Sequence, residues 1–168
     1  MRKIFIILFV LIVSMLQLGI FSHIQVLSGK IDLIMLGVIA WTLQKRTEFI
    51  DVLIFAFLSV LFLYLISAEP LIILVVLYIL IAFTIFWSKN NIQQIPIVSM
   101  LIFTTIFTFI HLSIFGFYLQ IFGTNLDVIE VFQIVILPSI LLNLVAAIPI
   151  FLLTNELQHL VYPLVEEV

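Results

Sequence analysis

Cysteine is absent from the 168 residues, which excludes disulfides, thiol nucleophiles and thiolate metal centres and leaves the redox compartment unread. Charge is nearly as scarce, at 9% of residues against about 25% in a soluble domain. The six Lys and Arg and nine Asp and Glu give a net charge of −3, with no basic run to follow a nucleic-acid backbone. Five scattered glycines supply no phosphate-cradling loop, and HExxH, GxSxG and P-loop sequences are missing, as are paired carboxylates within an apolar run. The expectation is a protein that is not an enzyme and carries no cofactor or metal. No internal repeat of the kind built into large secondary transporters is visible either.

What remains is hydrophobic: 65% of the residues are apolar and the mean hydropathy is +1.46. A soluble domain is excluded on that composition, and the chain reads as an all-α integral membrane protein, a bundle of six transmembrane helices. The polar gaps between apolar runs are too short for a second folded unit. The expected division is therefore a six-span domain over residues 1–154 and a cytoplasmic amphipathic tail over 155–168.

The most informative run lies near the end. From Ile134 to Thr154 there is no charge over about 20 residues, the length a helix needs to cross a hydrocarbon core about 30 Å thick. Pro138 and Pro149 interrupt it, and each frees a carbonyl one turn earlier, at Ile134 and Val145. Lipid cannot satisfy those groups, so this helix must pack within a bundle. Ser139, Asn143, Ala146 and Ala147 share one of its faces, and small and amide side chains at that spacing suit close helix packing with an interhelical hydrogen bond. Packing and direct recognition of a substrate are both open for Asn143.

The earlier runs follow the same logic. Met1-Arg2-Lys3 precedes Ile4–Phe21, a retained first span with Ser14, Gln17 and Phe21 on one face. Ser22–Lys30 reads as a short outer connection. Ile31–Leu43 is a second run of about 13 residues, short for a straight crossing. Asp32 stands at its mouth, where a carboxylate caps a helix or serves as a functional charge. Lys45 and Arg46 form a cationic loop, with Glu48 and Asp51 beside them as exposed pairing partners. Phe49–Ser67 is the third span and Ala68-Glu69-Pro70 a tight turn. Leu71–Trp87 is the fourth span, ending in an interfacial Trp.

The fifth run, Ile95–Phe122, is long enough that it must tilt, bend near Gly116 or project from the hydrocarbon. Thr104, Thr108, His111 and Tyr118 form a polar stripe along it. His111 has two readings, a proton or substrate path or a neutral hydrogen-bonded core histidine, since no second His, Asp or Glu lies at ligand spacing. Asp127 and Glu130 fall in the last outer loop. In the tail Leu157, Leu160, Val161 and Leu164 oppose Glu156 and His159, the pattern of a short helix lying on the membrane surface. Arg2, Lys3, Lys45, Arg46 and Lys89 fall on one side of a six-span arrangement and only Lys30 on the other, which predicts both termini in the cytoplasm. A five-span arrangement, with the C-terminus outside, stays open while the second run is so short.

Six spans, Leu16-Gln17 late in the first, Asp32-Leu33 opening a short second, and LPSILLNLVAAIPIFLL at Leu137–Leu153 with Tyr162-Pro163 after it resemble the rod shape-determining protein MreD family. Ile31 stands where that family commonly has proline, and its glycine-rich third span is replaced by FIDVLIFAFLSVLFLYLIS. The resemblance implies a scaffold subunit of the bacterial cell-elongation machinery, in the inner membrane, acting in cell shape and peptidoglycan synthesis. It implies an MreC-like partner and, with it, MreB, RodA and a class B penicillin-binding protein, besides the lipid bilayer; a homodimer is left open. Ser139, Asn143, Ala146, Ala147, Pro138, Pro149 and Asp32 are then the candidate partner-binding or packing residues. The family is similar in fold to the substrate-binding components of energy-coupling-factor vitamin transporters, which supplies the alternative: a small-molecule-binding subunit with Thr104, Thr108, His111 and Tyr118 lining its pocket.

Overall fold

Backbone in lipid has no water to bond, so apolar runs of this length close their hydrogen bonds internally as helices. The computed structural model describes residues 2–67, 69–92, 95–123 and 127–161. Arg2–Gly19 (α1) leads through a 3-10 turn at Phe21–His23 into two short antiparallel strands, Gln25–Val26 (β1) and Gly29–Lys30 (β2). Four helices follow: Leu33–Leu43 (α2), Phe49–Ile66 (α3), Leu71–Ile92 (α4) and Pro96–Ile121 (α5). The last stretch runs as Val128–Val131 (α6), a π-helical turn at Phe132–Ile136, and Leu137–Val161 (α7).

Among the described residues five helical stretches are long and apolar enough to cross a membrane, and the protein is a multi-pass all-α membrane protein. The expected second span is different. α2 has 11 residues, about 16 Å at 1.5 Å per residue, roughly half the hydrocarbon thickness. Every one of its residues is buried. A helix apolar on all sides must be enclosed on all sides, and α1, α3, α4, α5 and α7 do this, each touching α2 and, in the order α1, α3, α4, α5, α7, its neighbour in the arc. Phe9 of α1, Trp41 of α2 and Phe55 of α3 interlock with ring centroids 5.5–5.7 Å apart where three of these helices meet.

The stretch that precedes α2 is non-helical apart from one 3-10 turn. Ser22–Lys30, expected as a plain connection, folds as the 3-10 turn and hairpin, and β2 descends against the start of α7. Gly29 makes this approach feasible: a Cβ there would stand 2.6 Å from the Ser139 nitrogen and 2.7 Å from Pro138 Cβ. The hairpin turns at Leu27, exposed and held at φ 55°.

Three further expectations are corrected. Asp51 is fully buried rather than part of an exposed charge pair. α4 continues beyond Trp87 to Ile92, so Lys89, read as a loop residue, lies in the helix and is buried. α7 runs unbroken to Val161, so residues 155–161 extend the last helix instead of starting a separate surface helix; Leu164, with Tyr162 and Pro163, lies outside the described residues.

Gly29→Ala should lower thermal stability in detergent by about 1–3 kcal/mol, because the neighbours it meets are backbone and a proline ring. Gly19→Ala, with nothing within 4 Å, should leave stability unchanged or raise it. Equal melting curves for the two variants would refute the close hairpin contact.

Candidate functional site

A helix that begins inside the bilayer exposes N–H groups that no preceding turn can satisfy. At the start of α2 side chains take this role. Asp32 caps the helix, its Oδ1 accepting from the Met35 N–H at 2.9 Å. Gln17 of α1 reaches across with both ends of its amide, Oε1 accepting from the Leu33 N–H at 2.7 Å and Nε2 donating to the Ile31 carbonyl at 2.8 Å. Asn143 of α7 accepts from the Asp32 N–H at 2.8 Å and donates through Nδ2 to Thr108 Oγ1 of α5 at 3.0 Å. One turn earlier Ser139 Oγ accepts from the Lys30 N–H at 3.1 Å. Above it the Ser28 N–H donates to the Ile134 carbonyl at 3.1 Å, the group that Pro138 leaves unbonded.

The same place holds a charge cluster. His111 of α5 lies between two carboxylates, Nε2 at 2.8 Å from Glu69 Oε2 and Nδ1 at 3.6 Å from Asp32 Oδ2. Glu69 comes from the turn before α4, which Ser67 Oγ shapes by accepting the Glu69 N–H at 3.1 Å. The side chains of Asp32, Glu69 and His111 are 19%, 14% and 9% exposed. With a proton on each ring nitrogen, His111 presents a donor to each carboxylate. Asp32 thus caps α2, the first of the two readings weighed for it, and also contacts the imidazole.

The proposed partner-binding face of the last span is turned inward. Ser139, Asn143, Ala146 and Ala147 are buried, and α7 packs with them against the hairpin, α2 and α5. That face is closed to another protein, because the chain's own half-length helix already covers it. Pro138 abuts Gly29, and Pro149 sits within α7. The alternative pocket set is also divided. Thr104, Thr108 and His111 are buried, but Tyr118 stands apart in an aromatic ladder, 6.3 Å from Phe115 and 4.5 Å from Phe122 by ring centroids.

The reading of His111 as a histidine with no acidic neighbour is overturned by Glu69 and Asp32. The three are far apart in sequence and come from a turn, a cap and a mid-helix position. Only Asp32 carried a local signal, a carboxylate just before an apolar run. Among the described residues no group of three His, Cys, Asp or Glu is arranged to hold a metal ion. The geometry supports a charge-paired clamp joining α2, α4 and α5.

The chain matches no protein-family model, no curated protein and no solved structure.

Asp32→Ala removes both the cap and the charge, whereas Asp32→Asn keeps an oxygen able to cap. The alanine variant should be less stable than the asparagine variant by about 1 kcal/mol. Equal unfolding midpoints would show that the cap does not contribute.

Proposed function

We propose that the protein is a non-catalytic scaffold subunit of the bacterial cell-elongation machinery, seated in the inner membrane and binding an MreC-like partner through a lateral helix surface. The reading rests on the likeness of the last span to the MreD family and on where the polar groups go. The Gln17, Ser139 and Asn143 side chains around the start of α2, which could have met a substrate there, are engaged with the chain's own backbone.

The single observation that carries it is a recess on the flank of the bundle. Between α5 and the α6–π stretch lies an apolar cavity of about 240 Å³, with Gly116 beside Phe109, Phe117, Val131 and Phe132. An added Cβ at Gly116 would meet only Val131 Cγ1, at 3.9 Å, so the recess has room for a side chain from a neighbouring helix. Small residues at such points let transmembrane helices approach closely. The partner surface therefore moves from the buried face of α7 to the groove between α5 and α6.

Gly116→Leu fills this groove without touching the core of α2. Recovery of an MreC-like partner with the variant should fall severalfold while the purified protein keeps its melting behaviour. Unchanged recovery, together with normal cell outline on depletion, refutes the proposal. Retention of a vitamin-sized ligand that is lost in His111→Ala would establish the transporter-subunit reading instead, which the partial exposure of Asp32 and Glu69 favours.

The cation-bearing ends of the helices, with Lys3, Lys45, Arg46 and Lys89, face the cytoplasm in this reading. A reporter active only outside the cytoplasm should work when inserted after Ser67 and fail at Lys45. The reverse pattern would overturn the orientation.

A further inference from the structure

At the cation-bearing end, opposite the His111 cluster, the α2–α3 connection, the end of α4, the start of α5 and the last turns of α7 enclose a cavity of about 340 Å³. Lys45, Arg46, Lys89 and His159 line it, and no carboxylate does among the described residues. Two amide side chains also line it, Gln44 from the end of α2 and Gln158 from α7. They are only 7% and 4% exposed, and their Nε2 groups have no hydrogen-bond partner among the described residues. Two buried N–H donors left unused in one cavity indicate an acceptor that the described residues do not supply, since such groups are normally bonded.

Lys89 strengthens the argument. Its Nζ donates to the Thr47 carbonyl at 2.8 Å and lies 4.2 Å from the Phe86 ring centroid, with the residue 6% exposed. Those contacts orient the ammonium but bring no opposite charge, and a buried cation is normally paired. The first turn of α5 opens on the same space at Pro96, so the positive end of that helix adds to the field. Phe151 contributes an apolar wall.

We propose that this cavity binds a phosphate-bearing anion. Gln44 and Gln158 donate to its oxygens, Lys89 and Lys45 balance its charge, and a phosphodiester can enter with its acyl chains along the adjacent apolar surface. Basic pockets between transmembrane helices recognise anionic headgroups through this chemistry. The site is independent of the scaffold proposal, because it lies at the other end of the bundle and uses none of the same residues.

The test uses the full chain in nanodiscs of phosphatidylcholine doped with phosphatidylglycerol, with bound lipid counted by native mass spectrometry after release. The unaltered chain should retain phosphatidylglycerol over phosphatidylcholine, and Gln44→Leu with Gln158→Leu should weaken that retention by about tenfold or more. Lys45→Gln, an exposed position, should also weaken it and serves if the amide variant does not fold. In pure phosphatidylcholine discs, millimolar inorganic phosphate that raises the melting temperature of the unaltered chain but not of the amide variant would support the same site with a free phosphate as its source. Equal retention in the unaltered and variant chains, with no effect of phosphate, would overturn the proposal.

Discussion

The start of α2 is a backbone end that lies largely out of reach of water. A buried N–H left unbonded costs about 1–3 kcal/mol, and several would fall together at this point. The chain meets the demand from three directions: the Gln17 amide from α1, the Asn143 amide from α7, and Asp32 from the segment itself. Once these are fixed, much of the architecture follows. α1 and α7 must flank the point where α2 begins, the hairpin must run down α7 to deliver the chain there, and the remaining helices must enclose a rod that is apolar all round.

The same groups tie the cap to the charge cluster. Asn143 bonds both the Asp32 backbone and Thr108, and Thr108 lies one turn before His111 on α5. His111 in turn bridges Asp32 and Glu69, so α2, α4, α5 and α7 converge on one connected set of polar contacts. Such networks hold their members in fixed relation, because losing one partner leaves others buried and unpaired. A rigid centre of this kind fits the proposal that the flank between α5 and α6 is a docking surface.

Much of this was legible in the sequence. Pro138 predicts a freed carbonyl at Ile134, and the structure bonds that carbonyl to the Ser28 N–H. The spacing of Ser139, Asn143 and Ala146–Ala147 correctly defined a packing face, and a carboxylate before an apolar run correctly suggested a cap at Asp32. What the face packs against was not legible, because helical periodicity says that a stripe is buried but not by what. The hairpin escaped because its turn lacks the usual glycine or asparagine: Leu27 occupies the left-handed position. Glu69 looked like an ordinary turn residue, since its relation to His111, 42 positions away, exists only in the folded chain. Asp51 and Lys89 looked solvated because each adjoins a polar loop, yet neighbouring helices cover both.

The separation between Asp32 and Asn143 is 111 positions. During synthesis the Gln17 amide of α1 is made before α2, but the Asn143 amide comes only with α7, long after α2 has left the ribosome. Until α7 is made, the Asp32 N–H therefore lacks the acceptor that Asn143 provides, and Gln17 and Asp32 alone serve the start of α2. When α7 enters, Asn143 and Ser139 complete the bonding at that end, so a helix made late finishes the anchoring of one made early.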